Sequence, residues 1–148
     1  MELSIAQADD LNSLTELEAE LFTYDRITKK QFKYLLTKAN GLIIKAELDS
    51  KIAGYIALLW RKNSNRMRVY SIGVSPSSRK NGLGRNLLIC SESIAKNYNC
   101  SIITLEVQEH NQPALNLYHD MGFKYSTTRS AYYSDGGNAL VLQKNIDN

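Results

Sequence analysis

Cysteine and histidine are scarce in this chain, two of each, and that scarcity removes whole classes of chemistry. Cys90 and Cys100 have no metal-ligand spacing to each other or to a histidine, so both read as free thiols in a cytoplasmic protein. His110 and His119 lack a third ligand, which argues against a metal site. No apolar run is long enough to span a bilayer; stretches such as Ile52 to Trp60 stop well short. The start, Met1-Glu2-Leu3-Ser4, has neither the basic stretch nor the apolar core of a signal segment. Charge of one sign is lacking too. A net charge of +3 is small and does not argue for nucleic acid or a membrane surface as partner, though it suits an anionic ligand. No linker, repeat or low-complexity segment is present. One domain over residues 1–148 is expected, with a frayed polar tail at 145–148.

What is present is a clear alternation of periods. Leu3 to Ala6 reads as a short strand. Leu11, Leu14, Leu17, Leu21 and Phe22 recur at helical steps, and Thr28 can cap a second helix carrying Phe32, Leu35 and Leu36. Three strands follow: Leu42 to Leu48, Ile52 to Trp60 and Met67 to Val74. A helix is expected from Gly82 to Tyr98, a strand from Ser101 to Val107, and a helix opening at Asn111-Gln112-Pro113. Phe123 to Arg129 and Ala139 to Lys144 are the last strands, with a loop from Tyr132 to Gly137 between them. The order β-α-α-β-β-β-α-β-α-β-β describes an α/β (α+β) fold: a mixed, mostly antiparallel, twisted sheet of about seven strands flanked by about four helices.

The chain is organised around Val74-Ser75-Pro76-Ser77-Ser78-Arg79-Lys80-Asn81-Gly82-Leu83-Gly84-Arg85. A strand enters this turn and a helix leaves it. Glycine permits tight turning and close approach, and a helix start offers unpaired amides to an anion. The Walker spacing is absent. So is the third glycine of the dinucleotide fingerprint, because Leu stands at position 87.

Arg79-Lys80-Asn81-Gly82-Leu83-Gly84 resembles the Arg/Gln-x-x-Gly-x-Gly/Ala signature of the GCN5-related N-acetyltransferase (GNAT) superfamily. Leu105-Glu106-Val107, Asn111 through Leu117-Tyr118, and Met121-Gly122-Phe123 resemble a block of its RimI-type branch, whose members acetylate the α-amino group of protein N-termini, ribosomal proteins among them. Tyr132-Tyr133-Ser134-Asp135-Gly136 resembles that branch's Tyr-Tyr-x-Asp-Gly loop. The resemblance runs from about Val69 to Leu142 and is weak before it. It implies a GNAT fold whose two central strands splay apart near Val74 and Glu106 to admit acetyl-coenzyme A, with no nucleic acid or membrane partner. A monomer or weak homodimer is expected.

The resemblance also assigns roles. Backbone amides from Arg79, Lys80, Asn81, Gly82, Leu83, Gly84 and Arg85 would hold the pyrophosphate, and Ile72, Gly73 and Val74 would run beside the pantetheine arm. A backbone amide of that strand would lie near the acetyl carbonyl. Glu106 would be a water-mediated base; its plain alternative is a solvated glutamate on an edge strand. Tyr118 would contact the cofactor and protonate the departing thiolate; its alternative is a core tyrosine with its hydroxyl at the rim. Asn111 would touch the pantetheine arm, a role compatible with capping its helix. Phe22 and Tyr24 would form one wall for a peptide substrate, and Tyr132 and Tyr133 the clamp opposite, as strand neighbours facing opposite ways.

Two features depart from the branch. Gly137-Asn138 stands where Glu-Asp usually follows, and the Phe22 loop lacks the usual Pro-Trp sequence. Arg61, Lys62, Arg66 and Arg68 read as a solvated basic patch or a docking face. An α-amine, with a pKa a little below ~8, needs only a modest base. A small amine or a lysine side chain as acceptor, or a non-catalytic acetyl-coenzyme A-binding module, are the alternative functions.

Overall fold

The computed structural model describes residues 1–146. In chain order the elements are β1 (Glu2–Ile5), α1 (Leu11–Leu21), α2 (Lys29–Thr37), β2 (Gly41–Leu48), β3 (Lys51–Trp60), β4 (Arg66–Val74), α3 (Leu83–Asn97), β5 (Ile102–Gln108), α4 (Gln112–Asp120), β6 (Lys124–Arg129) and β7 (Ala139–Asn145). The strands form one sheet in the order β1-β2-β3-β4-β5-β7-β6. Every neighbouring pair is antiparallel except β4 and β5, which run parallel. This is the fold expected from the order of elements.

Helices cover both faces. On one side α3 lays Leu83, Leu87 and Leu88 against Ile56, Met67, Ile103 and Leu105. On the other, Leu14 and Leu17 of α1 and Phe32 and Leu35 of α2 pack on Ile43, Tyr55 and Ala57. Phe32 meets Tyr55 edge-on, with ring centres 5.8 Å apart. Each fully buried aliphatic side chain in these layers contributes about 1.5–3 kcal/mol. The start of α2 is fixed by a reciprocal cap, in which Gln31 N–H donates to the Thr28 hydroxyl and Thr28 N–H to the Gln31 side chain.

The parallel pair is short. Its register runs from Arg66↔Ile102 to Val69↔Leu105 and stops. The reason lies in β4. Ala57 of β3 faces Ser71, but Leu58 faces Val69, so Tyr70 is one residue too many. Such a bulge bends its strand and reverses the side-chain alternation beyond it. Met67 and Val69 join the core under α3; past the bulge Ile72 and Val74 take over that face. Ser71 and Gly73 therefore turn toward α1. Meanwhile β5 stays paired with β7 as far as Gln108↔Ala139. The two central strands part immediately after Val69 and Leu105.

The C-terminal end corrects one expectation. Asn145 is the last residue of β7, paired with Ile102, and Ile146 is buried with its N–H donating to Ser101 O at 2.8 Å. A neighbouring strand end and an apolar side chain hold this stretch, so it is not frayed. Residues 147 and 148 of the expected tail lie outside the described residues. Among the described residues no helix is long and apolar enough to cross a membrane.

Candidate active site

A cleft of about 640 Å³ opens where β4 and β5 diverge. Ile103, Leu105 and Val107 of β5 point into the core under α3, so strand alternation sends Glu106 to the other face and into this cleft. Its side chain is only 8% exposed. With β4 on one side and β7 on the other, β5 is not an edge strand, and the solvated-glutamate alternative falls away.

Glu106 has a partner. The Arg68 guanidinium meets it with Nη2–Oε1 at 2.6 Å and Nε–Oε2 at 3.4 Å. Arg68 also donates to the Tyr132 hydroxyl at 3.0 Å and lies over the Tyr70 ring, 5.5 Å from its centre. Arg68, although its side chain is 41% exposed, is thus engaged with cleft residues, unlike a purely solvated patch cation. Alternation along β4 turns it into the cleft, away from Met67 and Val69.

Tyr118 reaches the same cleft from α4. Its ring is buried, 6% exposed, and rests edge-on against Phe123 with centres 5.9 Å apart. Every buried side-chain polar atom among the described residues has a partner, whereas the Tyr118 hydroxyl has none among them; it therefore opens toward the cleft. Burial, with help from Tyr133, pushes this phenol up to about 12. Asn111 lines the cleft too and caps α4, its side chain accepting from Ala114 N–H at 3.3 Å.

Two loops overhang the opening. Phe22 and Tyr24 come from the α1–α2 connection, Tyr132 and Tyr133 from the β6–β7 connection. The tyrosine pair is not in a strand, and its rings do not face opposite ways. They meet at right angles with centres 5.0 Å apart, and both line the cleft. Here the loop backbone, not strand alternation, sets the side-chain directions. The loops are tied to each other: the Asp25 carboxylate accepts from Ser134 N–H at 3.2 Å and from its hydroxyl at 3.0 Å.

Of the residues expected beside a cofactor, Ile72 lines the cleft with Asn111 and Tyr118, while Gly73, Val74 and Arg79 to Arg85 do not. They lie further along, where β4 ends and α3 begins. Gly82 caps α3 with φ +76°, and no side chain caps that helix start. The first ladder bond is Asn86 N–H to Gly82 O, which leaves the amides of Leu83, Gly84 and Arg85 without helical partners. Arg79, Lys80 and Arg85 are exposed around them. The donor set fits a phosphate group. Gly84 has a second reason to lack a side chain, since a Cβ there would stand 3.3 Å from Leu117 of α4.

Among the cleft residues that escaped the sequence reading are Arg68 in this role, Ser71, and Glu18, a 2%-exposed carboxyl on α1. Glu18 carried a signal. It stands four residues after Leu14 and next to Leu17, on the apolar side of α1, where a charge has no ordinary business. Ser71 carried none, because only the bulge turns it toward the cleft.

The forked sheet, the carboxylate and phenol in its cleft and the open amides at the start of α3 match the arrangement expected from the resemblance to acetyltransferases. The chain belongs to the acetyltransferase (GNAT) family, whose model matches residues 9–123, and it is an N-acetyltransferase. That family uses acetyl-coenzyme A as co-substrate. The chain is 34% identical over 118 residues to an N-alpha-acetyltransferase of Sulfurisphaera tokodaii, covering 72% of this chain and 71% of that one. It is 30% identical over 139 residues to the N-alpha-acetyltransferase RimI of Mycobacterium tuberculosis, covering 91% and 86%. The crystal structure of the ribosomal-protein-S18-alanine N-acetyltransferase from Escherichia coli shares the fold, with a TM-score of 0.89 over 99% of this chain and 94% of that one at 23% identity.

Proposed function

We propose that this N-acetyltransferase transfers the acetyl group of acetyl-coenzyme A to the α-amino group of a protein or peptide N-terminus, a ribosomal protein being one candidate. The observation that carries the reading is the placement of Glu106 and Tyr118 in one cleft, beneath two joined loops rich in aromatic side chains. The relatives named for N-alpha-acetylation support it.

In this reading the cradle of Arg79 to Arg85 holds the pyrophosphate, and Ile72, Gly73, Val74 and Asn111 lie along the pantetheine arm. The thioester supplies the acetyl group. The neutral amine attacks its carbonyl carbon, forming a C–N bond and a tetrahedral oxyanion. The amine's proton passes through a water to Glu106. Arg68 occupies one face of that carboxylate, and each oxygen keeps a second lone pair for the water. When the C–S bond breaks, Tyr118 gives its proton to the thiolate. The Tyr118 hydroxyl, pushed up to about 12, remains protonated until that moment. Phe22, Tyr24, Tyr132 and Tyr133 flank the incoming chain end.

A panel of short peptides varying in their first two residues, assayed by release of coenzyme A, tests the reading. Turnover is expected with free α-amines. Inertness across the panel combined with turnover of small amines or lysine side chains would replace it.

A further inference from the structure

Glu18 takes no part in the chemistry above, yet it is the one carboxyl buried outright among the described residues. It is held at both oxygens. Ile27 N–H donates to Oε2 at 2.7 Å, and the Tyr55 hydroxyl donates to Oε1 at 2.5 Å. Tyr55 is wholly buried in β3, and its hydroxyl oxygen lies 2.8 Å from Ser71 Oγ. Ser71 sits beside the bulge of β4, and Ser71 and Glu18 line the cleft along with Glu106 and Tyr118.

Counting hydrogens sets the direction of this chain. A carboxylate has none to give. Tyr55 has one, and Glu18 takes it. With Glu18 ionised, the bond between Tyr55 and Ser71 uses the only hydrogen that Ser71 owns. Ser71 is left with lone pairs alone on its open side. Burial first, and then the charge of Glu18, push the Tyr55 phenol well up, so it keeps its proton. Burial raises the Glu18 carboxyl overall, and its two donors and the Arg26 charge offset that only in part.

We infer that Ser71, Tyr55 and Glu18 form a one-way hydrogen-bond chain that makes Ser71 an acceptor on the cleft wall, where it receives a hydrogen bond from the amino group of the acceptor substrate. The inference rests on the reading that the acceptor is an amine, and deepens it. Ser71 on β4 and Glu106 on β5 stand on the two arms of the fork, and the amine enters between them. Ser71 is a binding residue; Tyr55 and Glu18 are positioning residues that act through it. An amine or ammonium group brings hydrogens to share and suits such a wall. A head group that only accepts does not.

The sharpest variant is Glu18→Gln. Its carbonyl still accepts from Ile27, but its NH2 group faces Tyr55. Tyr55 then donates to Ser71, and the Ser71 hydrogen swings into the cleft. The acceptor has become a donor. The KM for the amine is expected to rise roughly tenfold or more, the scale of one hydrogen bond to a charged group, with the KM for acetyl-coenzyme A unchanged. Ser71→Ala should raise the amine KM similarly, and Ser71→Thr, which keeps the hydroxyl, should restore most of it. Tyr55→Phe should raise it in the wild-type background and add nothing to Ser71→Ala.

Thermal melts check that each variant folds. Should Glu18→Gln not fold, the two Ser71 variants carry the test. An amine KM unchanged in folded Glu18→Gln and Ser71→Ala overturns the chain and leaves the proposed function standing. Peptides inert with the wild type remove that function, and the same variants are then read on whichever amine the wild type does turn over. A wild type inert with every amine overturns both.

Discussion

Arg68 and Glu106 face each other across the fork at 2.6 Å, one residue from where β4 and β5 stop pairing. The contact reaches from the last paired stretch of β4 to the first residue of β5 beyond it, and fixes Glu106 at the root of the fork. Because Arg68 also donates to Tyr132, it couples the carboxylate to the loop above. Arg68→Ala is expected to lower kcat/KM for the acceptor roughly tenfold, since it releases both groups. Arg68→Lys should fall between, because an ammonium keeps the charge but not the planar fork. Steady-state kinetics on the two variants check this.

Tyr118 gives a pH prediction. An ordinary tyrosine loses its proton near 10, and activity that depends on it would fall there. Burial, aided by Tyr133, moves this phenol up to about 12, so the protonated acid persists as pH rises through 10. The expected profile climbs as the α-amine deprotonates near 8 and then stays level through pH 10. Tyr118→Phe should lower kcat roughly a hundredfold with little change in the KM for acetyl-coenzyme A. A descending limb near pH 10 in the wild type would contradict the assignment.

Asp25 is the clasp between the overhanging loops. Asp25→Ala removes both bonds to Ser134. The KM for the peptide should rise several-fold while that for acetyl-coenzyme A holds, and amides around Ser134 should exchange faster with solvent. An unchanged peptide KM would separate these loops from substrate binding.

Gly82 makes the cradle possible. At φ +76° a β-branched side chain is strained, and it would stand at the mouth of the α3 amides. Gly82→Val should raise the KM for acetyl-coenzyme A at least roughly tenfold and leave the acceptor KM alone. Calorimetric titration with coenzyme A would show the same loss without turnover.

Much of this site is written in local periodicity. Alternation of Leu105, Glu106 and Val107 puts the carboxylate opposite the core, and helical spacing puts Tyr118 on the inner face of α4. The glycines at 82 and 84 mark the turn into α3. Three things were not legible. The bulge at Tyr70 is a mismatch between two strands, and no single strand records it. The Arg68–Glu106 contact joins residues 38 apart through a parallel pairing, so Arg68 looked like a neighbour of Arg66 and Lys62 rather than a partner of Glu106. The Tyr132–Tyr133 contact is set by a loop path, for which strand parity was the wrong rule. Ile146 is a smaller case: one apolar residue in a polar tail is a weak sign, yet it is enough to seat the chain end beside Ser101.

The proposed acceptor is an α-amine. One measurement addresses it most directly: incubate the protein with acetyl-coenzyme A and a peptide carrying both a free N-terminus and an internal lysine, then locate the acetyl group by tandem mass spectrometry. The acetyl group is expected on the N-terminal nitrogen, with the rate falling roughly a hundredfold in Glu106→Gln. Acetyl found on the lysine alone, or a Glu106→Gln variant as fast as the wild type, would contradict it.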